Sequence, residues 1–259
     1  MKFVILMTFC WFTLQNTFGQ SFEEMKHLSD DNTVYKQYRQ FYYKYYFLNE
    51  RDTLLVNLYT KPEHIAPFEL SWKLEPKSKQ TFEQDYTTIH YLAMTVKAGD
   101  YFGQASLLQY DYLSKERRGI KHEQTGLIEV CSDISIMPPK EGHFLISELN
   151  PRLEVREPLV KDNTWYSTHT TSDIGGSNKW KTWQGAIEVN SNYRIKDIQT
   201  IKTNIGFLKC FIIDANAQSS VGETHLVAYF NEEYGFIKLI FTNVDGSYLV
   251  MDINSVKKF

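Results

Sequence analysis

Chemistry in a protein needs particular side chains held close together, and in this chain of 259 residues they stand mostly alone. The seven histidines, His27, His64, His90, His122, His143, His169 and His225, show no His-x-x-x-His spacing, and no Cys-x-x-Cys accompanies them, so nothing puts metal ligands on one face. No metal and no cofactor is expected. An elbow-type serine hydrolase would carry Gly-x-Ser-x-Gly after a strand; the nearest run, Gly175-Gly176-Ser177, reads as a surface loop. Neither Gly-x-x-x-x-Gly-Lys-Ser/Thr nor Gly-x-Gly-x-x-Gly occurs, which disfavours nucleotide phosphate. Glu232-Glu233, and Glu83 with Asp85, have the residue types for glycoside hydrolysis, but that chemistry depends on carboxylate separation and their default reading is solvated turn charge. Trp165, Trp180 and Trp183 are the expected ligand-binding residues, as a sugar-stacking platform or the wall of an apolar cavity, against the alternative of core or rim packing. No residue is assigned a catalytic role.

The elements that must position these side chains start with an address. Lys2, the apolar run Phe3 to Leu14 and the more polar Gln15 to Gln20 have the layout of a secretory signal, with small Thr17 and Gly19 before a cleavage that leaves Gln20 first. The apolar run is too short to span a bilayer, which takes about 20 residues. Cys10 lacks the setting of a lipid-modified cysteine. Removing 1–19 leaves 27 basic against 31 acidic residues, a charge of −4, and two cysteines, Cys131 and Cys210. Alternation over 127–136 puts Ile128, Val130, Ile134 and Ile136 on one face and Cys131 on the other, whereas Cys210 sits on an apolar face with Leu208 and Ile212. A disulfide and a buried free thiol at Cys210 both stay open. The absence of Asn-x-Ser/Thr favours bacterial export. The acidic balance removes the usual drive toward nucleic acid, and no basic groove is expected.

After the leader, a helix is expected over 33–48, where Tyr35, Tyr38, Tyr42, Tyr45 and Tyr46 recur at helical spacing behind Asp30, Asp31, Asn32 and Thr33 as caps. Its stripe, Tyr35, Tyr38, Tyr42 and Tyr45, is either a partner-binding surface or the face that packs the helix on its own domain. From residue 53 the period shifts toward two, and strands are expected at 53–60, 68–74, 88–97, 101–112, 126–137 and 144–148, with a turn at 98–100. Residues 150–164 read as a crossing segment. Strands follow at 165–170, 181–189, 193–203, 208–214, 224–230, 236–243 and 247–253, with Asp245-Gly246 as a type I′ hairpin turn and 231–235 as a longer one. Successive antiparallel strands predict a mainly β protein with a strongly curved antiparallel sheet, organised as signal 1–19, helical segment 20–48 and β domain 49–259.

Across about residues 125–253 the chain resembles a family, on Pro138-Pro139, Pro151, Pro158-Leu159, Trp165, Trp183, 201–207 with Lys209-Cys210, 229–238 and 242–247. It is similar to uncharacterised secreted bacterial proteins (TapB-like) of the LolA-like periplasmic half-barrel superfamily. The resemblance implies a curved antiparallel sheet around an apolar concavity, and relatives that carry lipids or lipoproteins. The matching Gly206, Cys210, Tyr234, Gly235, Asp245 and Gly246 are turn and core positions, so they transfer fold rather than activity. The expected function is an exported, non-enzymatic module holding a lipid or lipidated protein in the sheet's cleft, in the periplasm or at the outer membrane or cell surface of a bacterium, peripheral to the membrane at most. The alternatives are an envelope assembly factor that binds a protein through the tyrosine helix, and an envelope hydrolase with two carboxylates near Trp165 and Trp183.

Overall fold

A computed structural model describes residues 32–50, 52–59, 72–77, 86–97, 106–130 and 133–257. The expected leader and its cleavage site, the turn at 98–100, Cys131, Glu83 and Asp85 lie outside them. The strands are β1 (Gln40–Leu48), β2 (Thr53–Tyr59), β3 (Trp72–Pro76), β4 (Tyr86–Thr88), β5 (Tyr91–Lys97), β6 (Ser106–Leu113), β7 (Gly119–Val130), β8 (Asp133–Ile136), β9 (Leu153–Val155), β10 (Thr164–Thr171), β11 (Ile187–Thr203), β12 (Gly206–Ser219), β13 (Gly222–Asn231), β14 (Gly235–Thr242) and β15 (Tyr248–Lys257). All belong to one antiparallel sheet curled into a half-barrel. Its order is β10-β11-β12-β13-β14-β15-β1-β5-β6-β7-β8-β9, with β2, β3 and β4 branching from β1.

Two meanders meet at β1, which pairs β15 on one side and β5 on the other. This overturns the expected helix over 33–48: residues 40–48 are a central strand. The tyrosine spacing fits a helical period, but Phe41, Tyr43, Tyr45 and Phe47 also alternate at period two and are all buried, while Lys44 points out. Aromatic side chains suit a pleated surface flanked on both sides, and such a site is what the fold provides. Tyr35 is buried in the turn segment before β1, its hydroxyl accepting from Phe236 N at 3.0 Å, and Tyr42 and Tyr45 are buried as well. Only Tyr38 of the four stripe residues is exposed, in a turn with φ 64°.

The inward side chains form rows across the strands. Tyr193, Ala215, Leu226, Phe241, Leu249 and Phe47 stand in register, and Ile195, Ile213, Ala228, Leu239, Met251 and Tyr45 form the next row. The concavity they line is filled by the chain itself. Residues 144–148, expected as a strand, lie in a run of 3-10 turns (Gly142–Leu149) that sets Phe144 against Tyr45, Phe47 and Tyr112 at centroid distances of 4.8, 5.5 and 5.5 Å. Pro138-Pro139 ends the ladder ahead of it, since proline carries no N–H. Thr224 Oγ1 donates to Leu149 O at 2.8 Å, Tyr193 OH to Arg152 O at 3.1 Å and Asn150 Nδ2 to Asn243 Oδ1 at 2.8 Å, tying the plug to the second meander.

The strands expected at 181–189 and 193–203 are one 17-residue strand, β11, preceded by irregular chain up to residue 186. The polar run Asn190-Ser191-Asn192 hides the continuity, and a bulge between Ile195 and Asp197 shifts the alternation further on. The hairpin at Asp245-Gly246 is present, but it is not the two-residue turn. The last ladder pair is Thr242 with Tyr248, Asn243 N donates to Ser247 O, and Gly246 takes the positive φ, 82°. Buried Asn243 sets this longer loop by bonding Ser247 Oγ and Asn150.

Candidate functional site

The concave face offers no room for a lipid among the described residues. Between Tyr35, Tyr43, Met94, Tyr110, Leu153 and Phe241 lies an apolar void of about 10 Å³, no more than one water molecule needs. Open space is found on the convex face.

A groove there has a volume of about 850 Å³. Its floor is the outward side of four adjacent strands, where Lys44 of β1, Asp252 of β15, Lys238 of β14 and Tyr229 of β13 stand in register. One wall comes from His90, Tyr91, Lys77 and Lys115; the other is the tip of the long β11–β12 hairpin, residues 201–204. The bend at the β11 bulge precedes that tip, which is pinned to β15 where Asn204 Nδ2 donates to Ile253 O at 3.4 Å. Among the described residues five lysines and a histidine line the groove with one carboxylate, Asp252, which Lys238 engages at 3.3 Å. Burial lowers the pKa of His90, and Lys115 and Lys77 push it the same way against Glu116. The histidine therefore stands neutral beside the lysines at neutral pH. Tyr46, Tyr91 and Tyr229 supply apolar surface between the charges.

This is a basic groove on a chain of net negative charge, and it overturns the expectation that none would form. Charge balance counts residues; the fold decides which share a wall. Alternating lysines on β1 and β14, a hairpin tip and two loops carry no common motif, so no local signal marks them.

The tryptophans are dispersed in role. Trp165, on edge strand β10, stacks on Tyr193 with centroids 5.1 Å apart and 6° between the planes. It borders a second open hollow of about 660 Å³ with Tyr166, Asn192, Arg194, Lys196 and Asp214. Trp180 and Trp183 pack instead with Leu149, Val189 and Ala217; Trp180 Nε1 donates to Gly175 O at 3.1 Å and its ring meets His143 edge-on. These two hold down the 172–186 loop, and the three do not converge into one platform. Beside Trp165 the hollow holds, among the described residues, one carboxylate, Asp214. Burial pushes that carboxyl up, but hydrogen bonds from His225 Nε2 at 2.6 Å and Lys196 Nζ at 3.0 Å outweigh it and leave the group below the usual range.

Glu232 and Glu233 are exposed at the β13–β14 turn, where the Glu233 carbonyl accepts from Arg39 Nη1 at 2.6 Å. Among the described residues no three His, Cys, Asp or Glu side chains gather as a metal-binding set. Cys210 is a buried free thiol whose pKa burial pushes up to about 11, so it stays protonated at neutral pH.

No protein-family model matches the chain, and no curated protein matches it in sequence. Solved structures with a related chain path include a candidate lipoprotein of Parabacteroides distasonis, 7% identical with a TM-score of 0.47 over 87% of this chain and 97% of that one. A candidate exported protein of Bacteroides fragilis with a YmcC-like fold is 8% identical, with a TM-score of 0.43 over 87% and 98%. The hypothetical lipoprotein YmcC of Escherichia coli is 8% identical, with a TM-score of 0.36 over 93% and 95%. At these values the likeness assigns no activity.

Proposed function

We propose that this chain is an exported, non-enzymatic binding module whose ligand is an anionic amphiphile held by its head group in the convex-face groove. The observation that carries this is the gathering of Lys44, Lys77, Lys115, Lys202 and Lys238 around tyrosine-lined space, with one carboxylate among the described residues that line it. Lysine ammonium groups recognise phosphate or carboxylate as point charges, and the rings of Tyr46, Tyr91 and Tyr229 offer apolar contact to the first carbons of a chain. The groove's volume lies within the range of small-molecule sites. Export is supported by the leader-like layout of residues 1–19, and a place in the TapB-like branch of the LolA-like superfamily by the turn and core residues already named. A ligand in the concavity is disfavoured by Phe144 and its neighbours. A partner surface on the tyrosine stripe is disfavoured by the burial of Tyr35, Tyr42 and Tyr45.

Titration with water-soluble dihexanoyl-phosphatidylglycerol tests the reading, with dihexanoyl-phosphatidylcholine as control. Saturable binding of the anionic lipid alone is expected, weakening as salt rises. Reversing two groove charges, Lys44→Glu with Lys202→Glu, is expected to cost about tenfold or more in affinity, as loss of charge-assisted contacts would. Glycerol phosphate that competes fully would reduce the ligand to its head group. Equal binding of the zwitterionic lipid, or no binding of either, would sink the proposal.

A further inference from the structure

The β11–β12 hairpin carries a side chain that the groove does not use. Lys202 pairs with Phe207 and Thr200 with Lys209 across the ladder, so these four share one face. The other face, with Ile201 opposite Leu208, packs on the core, and toward the sheet the lysine-bearing face runs into Ile198 opposite the buried Phe211. Phe207 is thus on the hairpin's outward, lysine-bearing side, and it is 73% exposed. The tip that presents it is braced: Thr203 Oγ1 donates to Gly206 O at 2.8 Å and accepts from Ile205 N at 3.1 Å, Gly206 takes a φ of 123°, and Asn204 docks on β15. An aromatic ring held in water on a braced hairpin tip, with a groove-lining lysine directly across and a second lysine two residues on, complements one kind of partner. That partner is a surface with negative charge outside and hydrocarbon below.

We propose that the hairpin tip is a bilayer-docking prong: Phe207 enters the interfacial layer of an anionic lipid surface while Lys202, Lys209 and the groove lysines meet its head groups. This rests on the groove reading for the identity of the ligand, but it makes a separate demand, that an assembled bilayer engage a residue outside the groove. It explains why an aromatic residue occupies a position whose strand neighbours on that face are lysine and threonine. Peripheral attachment of this kind takes both signals, because one aromatic ring buries too little surface to hold a protein on a membrane and exposed charges alone fade with salt.

The test compares vesicles with the soluble lipid on the full protein purified after export. Flotation with phosphatidylcholine vesicles containing phosphatidylglycerol is expected to recover the parent protein, and vesicles of phosphatidylcholine alone are expected not to. Phe207→Ala is expected to weaken vesicle binding about tenfold or more, the scale of losing one buried aromatic side chain. It should leave the titration with dihexanoyl-phosphatidylglycerol unchanged. Phe207→Trp is expected to keep vesicle binding, with added fluorescence that brominated lipid quenches. Vesicle binding indifferent to Phe207→Ala overturns the prong, as does a Phe207→Ala variant that loses soluble and vesicle binding equally. Vesicle binding that depends on Phe207 with no soluble-lipid binding would overturn the groove reading and leave the prong standing.

Discussion

Glu129 shows how one side chain can organise a segment. Its carboxylate is 4% exposed, and it accepts from Thr33 N at 2.7 Å, Thr33 Oγ1 at 2.9 Å, Val34 N at 2.8 Å and Tyr35 N at 2.8 Å. Three backbone donors that no ladder uses thereby find an acceptor. Glu129→Gln keeps the shape but replaces one acceptor oxygen by a donor facing N–H groups, so a loss of about 1.5–3 kcal/mol is expected in denaturant unfolding. The neighbouring residue corrects the expectation for β7: Ile128, placed on the apolar face by alternation, is 45% exposed, because Glu129 and Leu127 are the residues that face inward opposite Ile134 and Ile136. His143 gives the molecule a pH response. Burial against Phe47 and Trp180 lowers its pKa to about 4, partly opposed by Asp245 and assisted by Lys179. With the folded value below the ordinary 6.5, the unfolded chain takes up the proton first as pH falls. Stability from this group is complete above pH 6.5 and is lost between about 6.5 and 4, on the order of 3 kcal/mol. Urea midpoints measured across that range are expected to fall toward acid in the parent and to fall less in His143→Phe.

Among the elements, the β13–β14 turn and the plug decide most. Gly235 has φ 70°, and a Cβ there would lie 2.3 Å from the Tyr35 hydroxyl. The turn therefore needs glycine twice, for its backbone and for the approach of Tyr35. Gly235→Ala is expected to destabilise by at least about 1–3 kcal/mol, the scale of overpacking a well-filled core, visible as a drop in thermal midpoint. Phe144 is fully buried at the centre of the plug. Phe144→Ala is expected to cost about 3–5 kcal/mol. It should also open an apolar cavity, visible as a rise in binding of a small apolar probe such as benzene.

At the scale of the whole molecule, a chain of formal charge −3 carries a groove of the opposite sign. Its binding to an anionic lipid is expected to weaken steeply between about 0.05 and 0.5 M salt, because the Debye length shrinks to a few ångströms over that range. Salt-independent binding would place the ligand elsewhere. Mass spectrometry of the N-terminal peptide of the protein recovered after export is expected to show a chain that begins at Gln20, as pyroglutamate if the amine has closed.

Curvature of an antiparallel sheet was legible in the chain because period-two patterning and turn residues act over a few positions, and most of β5 to β7 and β12 to β15 follow from them. The 231–235 turn is equally local, whereas Leu153–Val155, expected within a crossing segment, is strand β9, which only its pairing with β8 decides. The helix expected over 33–48 failed for a physical reason: a run as aromatic as Phe41 to Phe47 satisfies both periods, and only the pairing of β1 with β15 and β5, across 200 residues of chain on one side, selects the strand. The same holds for function. Residue types alone indicated export and the lack of a catalytic motif, both properties of short stretches. Which face is open was decided by tertiary structure, since Phe144 reaches the concavity only when the plug folds back into it. So was the gathering of Lys44, Lys77, Lys115, Lys202 and Lys238, whose positions span β1, two loops, a hairpin tip and β14. Electrostatic potential depends on distance in space, and the chain order of these lysines does not encode it.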